Sequence, residues 1–117
     1  MNSTKNNLFL LTPNFTDPAY PGKRFYCWHC ALIEGALLAL SDHSKHLQVE
    51  RVAWPRPRKE IIDIVGAENQ SLPLLVLAEG RASKFQTGSF KVRAFTNEKD
   101  KILAALSELY DFPEPHP

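Results

Sequence analysis

Cys27 and Cys30 are the two cysteines of this chain, and only Trp28 and His29 separate them. Two thiols at that spacing on the first turn of a helix lie close enough to close a disulfide. A C-x-x-C set between a strand-like run and a helical run reads first as a thiol redox site. The reactive species in such a site is the thiolate, and a free cysteine has a pKa near 8.5. A helix N-terminus offers unpaired N–H groups and about half a positive charge. Cys27 at that position gains stabilisation as an anion. His29 adds a charge or a donor when protonated, and Lys23 and Arg24 just upstream add to the positive field. Stabilising the reduced form makes the pair a stronger oxidant.

Other chemistry is open to the same residues. The pair could hold a metal between two chains, or be two small buried hydrophobes. Cys27-x2-Cys30-x12-His43-x2-His46 comes near a zinc-finger pattern. Its intervening segment is an apolar helix, however, which at ~1.5 Å per residue holds Cys30 and His43 roughly 20 Å apart. Zinc ligands sit at about 2 Å, so no metal is expected. A Cys-His hydrolase fails on placement: His43, His46 and His116 have no route to Cys27, and His29 is too near in sequence to be a well-oriented base. Glu34, four residues past Cys30, is either an exposed glutamate or a buried proton acceptor for it. Trp54-Pro55-Arg56-Pro57-Arg58 is either an anion site or a solvated turn.

The elements that must position these residues follow from the pattern. Leu8 to Leu11 is a short apolar run ended by Thr12-Pro13, a buried strand. A loop of turn formers and aromatics follows to Tyr26. Residues 28–40 read as a helix with two apolar stripes, Leu32-Ala36-Ala39 and Ile33-Leu37-Leu40, and so as a buried helix. Val49, Val52 and Trp54 mark a second strand, and Pro57 suits the start of a second helix capped by Gly66. Leu72-Pro73-Leu74-Leu75-Val76-Leu77 is a third strand, residues 91–95 a fourth, and Asn97 with Asp100 opens a last amphipathic helix. Residues 111–117 form an extended tail. The order is β-α-β-α-β-β-α. The first two connections are expected as crossovers between parallel strands, and the last two strands as a hairpin.

The 117 residues suffice for one domain, 1–117, with a core over about 7–110. A net charge of +1 favours neither nucleic acid nor a membrane surface. No segment approaches the roughly 20 apolar residues of a membrane span. The polar start and short first apolar run do not make a signal peptide. A cytoplasmic protein is the expectation, where C-x-x-C is catalytic or metal-binding more often than structural.

This order, with Cys27-Trp28-His29-Cys30 opening the first helix and Ser71-Leu72-Pro73-Leu74 opening the third strand, resembles the thioredoxin fold. The terminal β-β-α is similar to glutaredoxins and to the N-terminal domain of glutathione transferases. The sequence also looks close to a bacterial family of uncharacterised thioredoxin-like proteins. The resemblance implies an α/β fold with a four-stranded mixed sheet and helices on both faces. It implies Cys27 as exposed nucleophile, Cys30 as buried resolving thiol and Pro73 as a cis-proline facing them. The backbone of Leu72 would pair with an extended substrate, and Tyr26 and Trp28 would contact it. The activity implied is thiol–disulfide exchange with a protein or small-molecule thiol or disulfide. No bound cofactor is implied, though glutathione could be a co-substrate held by the N–H groups of Thr96 and Asn97. Tyr26 stands where thioredoxins carry tryptophan, and the loop before Cys27 is longer than theirs. A thioredoxin-fold module that binds a peptide, a glutathione-like thiol or a protein without turnover is the alternative.

Overall fold

The computed structural model describes residues 4–117. One five-stranded mixed sheet carries the chain, in the order β2-β1-β3-β5-β4. The strands are β1 Asn7–Leu11, β2 Gln48–Val52, β3 Leu74–Val76, β4 Gly88–Phe90 and β5 Arg93–Thr96. The helices are α1 Trp28–Ala39, α2 Ser41–Ser44, α3 Lys59–Val65 and α4 Lys99–Tyr110. Among the described residues no helix is long and apolar enough to cross a membrane.

Strand alternation sends successive side chains to opposite faces, and two apolar cores result. Leu8, Leu10, Leu75, Leu77 and Ala94 pack with Ile33 and Leu37 of α1 and Ile102, Ala105 and Leu106 of α4. Phe9, Leu74, Val76 and Phe95 pack with Ile61 and Val65 of α3 on the other face. Helices therefore cover both faces, as expected.

Several expectations are corrected. The sheet has five strands, because the segment read as one strand over 91–95 is a hairpin: Phe90 pairs with Arg93, and Lys91-Val92 form the turn. Lys91 has a positive φ of 54° and Val92 is exposed, which suits a turn and not a strand centre. β4 carries no strand signal in the sequence, because Gly88-Ser89-Phe90 has too few apolar positions to alternate. The first connection joins the parallel pair β1 and β2. The second does not join parallel strands, since β3 runs antiparallel to β1. Helix α1 is not buried all round: Ile33 and Leu37 are covered, but Leu38 is 81% exposed. Pro57 stands outside α3, whose N-cap is Arg58. The N-cap of α4 is Glu98, with no side-chain cap. Gly66 does cap α3, with φ 88°, and a Cβ there would press on the Phe90 ring at 3.1 Å.

Candidate functional site

Parallel β1 and β2 both finish at one end of the sheet, and antiparallel β3 begins there. Three segments converge on that end: residues 12–27, 53–58 and 66–73. The first is ordered by Phe15 and Phe25, which exchange backbone hydrogen bonds of 3.0 and 2.7 Å. The Phe15 ring stacks on Trp54 of the second segment at 5.6 Å. The first segment then delivers Cys27 as the N-cap of α1.

Cys27 acts as the cap through its sulfur. The Cys30 N–H donates to Cys27 Sγ at 3.2 Å, so one of the helix's unpaired donors is satisfied by a thiol. Cys27 is half-buried and Cys30 is buried beneath it; both are free thiols. The Leu11 N–H donates to Cys30 Sγ at 3.4 Å and ties the buried thiol to the end of β1. Burial pushes the Cys30 thiol up to about 12, aided by its hydrogen bond with Cys27 and by the charges of Cys27 and Glu34; the Leu11 N–H opposes the rise. Cys30 therefore keeps its proton at neutral pH, and the two sulfurs are chemically unequal.

A cleft of about 410 Å³ opens beside the pair, walled by Leu11, Pro13, Tyr26, Ala31 and Glu34 with both cysteines. That is the size of a small-molecule site. Glu34 is neither a plain solvated residue nor a buried acceptor: it stands in the cleft wall, where Arg51 of β2 grips both its oxygens, Nε to Oε2 at 3.0 Å. Tyr26 and Trp28 are 65% and 67% exposed at the rim. The His29 ring lies 4.0 Å from that of Trp28, and Lys99 of α4 approaches the other side of the site at 5.7 Å from the Trp28 ring.

Leu72 packs on the same apolar cluster as Cys27 and Cys30, and the Leu72–Pro73 peptide is cis. Neither residue walls the cleft, which lies on the β1–α1 side. The Asn97 N–H is not a free donor, and Thr96 is the last residue of β5. The Thr96 side chain is buried and its hydroxyl donates to the Phe85 carbonyl at 3.1 Å. The Asn97 N–H donates to the Thr87 hydroxyl at 3.0 Å. His43 rests against Phe112, His46 lines a hollow with Lys5 and Tyr110, and His116 lies on the exposed tail. Among the described residues no three His, Cys, Asp or Glu side chains cluster as a metal site.

The residue that sequence reasoning misjudged is Arg58. Its neighbour Arg56 is exposed, as a solvated turn requires, but Arg58 is 5% exposed. Burial lowers its pKa most, Arg56 adds to the fall, and Cys30, Cys27 and Glu60 oppose it. Nothing local distinguishes the two arginines. Arg58 is held by the Trp54 carbonyl and by Gln70, twelve residues later, whose side chain accepts the Arg58 backbone N–H at 2.8 Å.

One family model, described as a protein of unknown function (DUF3088), matches residues 5–114, and the chain belongs to that family. Neither a curated protein nor a solved structure matches it.

Proposed function

We propose that this DUF3088 chain is a thiol–disulfide oxidoreductase of thioredoxin-like fold, working in the cytoplasm with Cys27 as nucleophile and Cys30 as resolving thiol. One observation carries the reading: the half-exposed Cys27 sulfur caps α1 by accepting the Cys30 N–H, directly above a buried thiol that stays protonated. An acceptor held by a helix N-terminus is better as an anion than as a thiol. The mixed sheet with helices on both faces supports the thioredoxin-like part.

In the first step the Cys27 thiolate attacks one sulfur of a substrate disulfide. A mixed disulfide forms and one substrate thiolate leaves. That thiolate takes the proton of Cys30, whose sulfur then attacks Cys27 Sγ. The Cys27–Cys30 disulfide forms and the second substrate thiol departs. The substrate gains two electrons and the pair loses two; an external dithiol or glutathione returns the pair to its reduced form.

Cys30→Ser, mixed with oxidised glutathione, is expected to retain a glutathione adduct on Cys27 by mass spectrometry. The wild type is expected to release the thiol and carry an internal disulfide. The exposed Tyr26 and Trp28 beside an apolar cleft favour a second reading, a module that holds a partner there without turnover. Neither adduct nor internal disulfide would decide for it.

A further inference from the structure

Arg58 is a cation that the fold has taken out of water without giving it a carboxylate. Among the described residues it makes no ion pair. Its Nε and Nη2 donate to the Trp54 carbonyl at 3.0 and 2.5 Å, and its Nη1 to the Gln70 carbonyl at 2.7 Å. A guanidinium has five N–H groups, so two remain. Carbonyl dipoles solvate the charge but do not neutralise it, and an unpaired buried charge is costly. Trp54, which supplies one carbonyl, and Leu72, two residues past the other, pack on the apolar cluster that holds Cys27 and Cys30. Arg58 thus joins the two segments, 53–58 and 66–73, that pack on the thiols' cluster, and the charges of Cys30 and Cys27 act back on it.

We propose that the buried Arg58 guanidinium is the counter-charge for the anionic form of the Cys27–Cys30 pair. The proposal rests on the reading of the pair as a working dithiol. Arg58 is a positioning residue that acts through the sulfurs. The reduced pair carries one negative charge once a thiol has lost its proton, whereas the disulfide carries none. A fixed cation therefore favours the reduced anion. It raises the thiolate fraction at neutral pH and makes the pair a stronger oxidant. The other charged and titratable groups that face the pair are Glu34 of α1, tied to Arg51 of β2, with Tyr26 and His29 at the entry to α1. Arg56 and Glu60 act on Arg58 itself, and Lys99 of α4 lies beyond Trp28.

The test is the pH dependence of iodoacetamide alkylation of the reduced full chain, with the label located by mass spectrometry. Arg58→Met is expected to slow Cys27 alkylation at neutral pH about tenfold and move its profile up by about one pH unit. Its dithiol–disulfide equilibrium with glutathione should shift about tenfold, or about 30 mV toward a more reducing pair. Arg58→Lys should recover most of both. Profiles of Arg58→Met and wild type that superimpose would overturn the proposal. Should Arg58→Met fail to fold, the wild type still decides. The Arg58 Nε–Hε resonance should move as the thiol titrates and on oxidation, with the Arg93 resonance as a fixed reference; an indifferent Arg58 signal overturns the proposal. A responsive Arg58 without any trapped adduct on Cys30→Ser would remove turnover and keep the counter-charge. An adduct with an indifferent Arg58 would do the reverse.

Discussion

The two ends of the sheet each hold a buried arginine, Arg58 after β2 at the end where Cys27 caps α1, and Arg93 where β1 starts and β3 ends. The two are bound alike. Arg93 is 7% exposed and donates to the Leu77 carbonyl at 2.8 Å, the Lys5 carbonyl at 2.9 Å and Asn7 Oδ1 at 2.8 Å. Burial lowers the pKa of both. What differs is the negative charge that offsets the burial: the Glu79 carboxylate at Arg93, first the two cysteine sulfurs at Arg58. A carboxylate is charged at any ordinary pH, so Arg93 staples three chain segments and nothing about it varies. The offset at Arg58 depends on whether a thiol is ionised or oxidised. The same side chain in the same kind of cage is a staple at one end of the sheet and couples to chemistry at the other.

The comparison is sharpest in alkali. Cys30 holds its proton to about 12 in the fold, well above the value of a free cysteine in the unfolded chain. The unfolded chain therefore binds fewer protons between those values, and stability falls as pH rises through them. Urea denaturation of the reduced wild type should show the full contribution below about pH 9 and lose up to ~4 kcal/mol by about pH 12. Cys30→Ser should keep only the shallower limb that Tyr110 contributes, since burial raises its pKa too, and identical alkaline limbs in the two proteins would refute the assignment to Cys30. At the other end of the sheet, Arg93→Met leaves three acceptors without their donor. A loss of about 3 kcal/mol in urea is expected, with Cys27 alkylation within about twofold of wild type. A large change in that rate would break the contrast between the two arginines. The smallest effect belongs to Glu34→Gln. Its ion pair with Arg51 is half-exposed and contributes under ~1 kcal/mol to stability. Removing the carboxylate takes one negative charge from beside Cys30, so Cys30 should alkylate at slightly lower pH. A shift upward would contradict that sign.

The parts of this molecule that were legible in the sequence are those fixed by short spacing. Ile33 and Leu37 reach one core because they lie four residues apart on a helix. Leu8 and Leu10 face α1 while Phe9 faces α3, because strand side chains alternate. Where the signal was short or shared it failed. Gly88-Ser89-Phe90 is too brief to alternate, and Leu32, which falls in an apolar stripe of α1, is 49% exposed. The Asn97 N–H looked free because Thr87, which occupies it, is ten residues away.

By itself the sequence determined that two thiols three positions apart open a helix after a short buried strand, since helical geometry alone puts Cys27 at the cap and Cys30 one turn in. Tertiary structure decided what surrounds them. It opened the cleft on the Glu34 side and paired Glu34 with Arg51, seventeen residues on. It also buried Arg58 but left Arg56 in water. These outcomes depend on which strands lie side by side and in which direction, and so on residues far apart in the chain, where no local spacing carries the information.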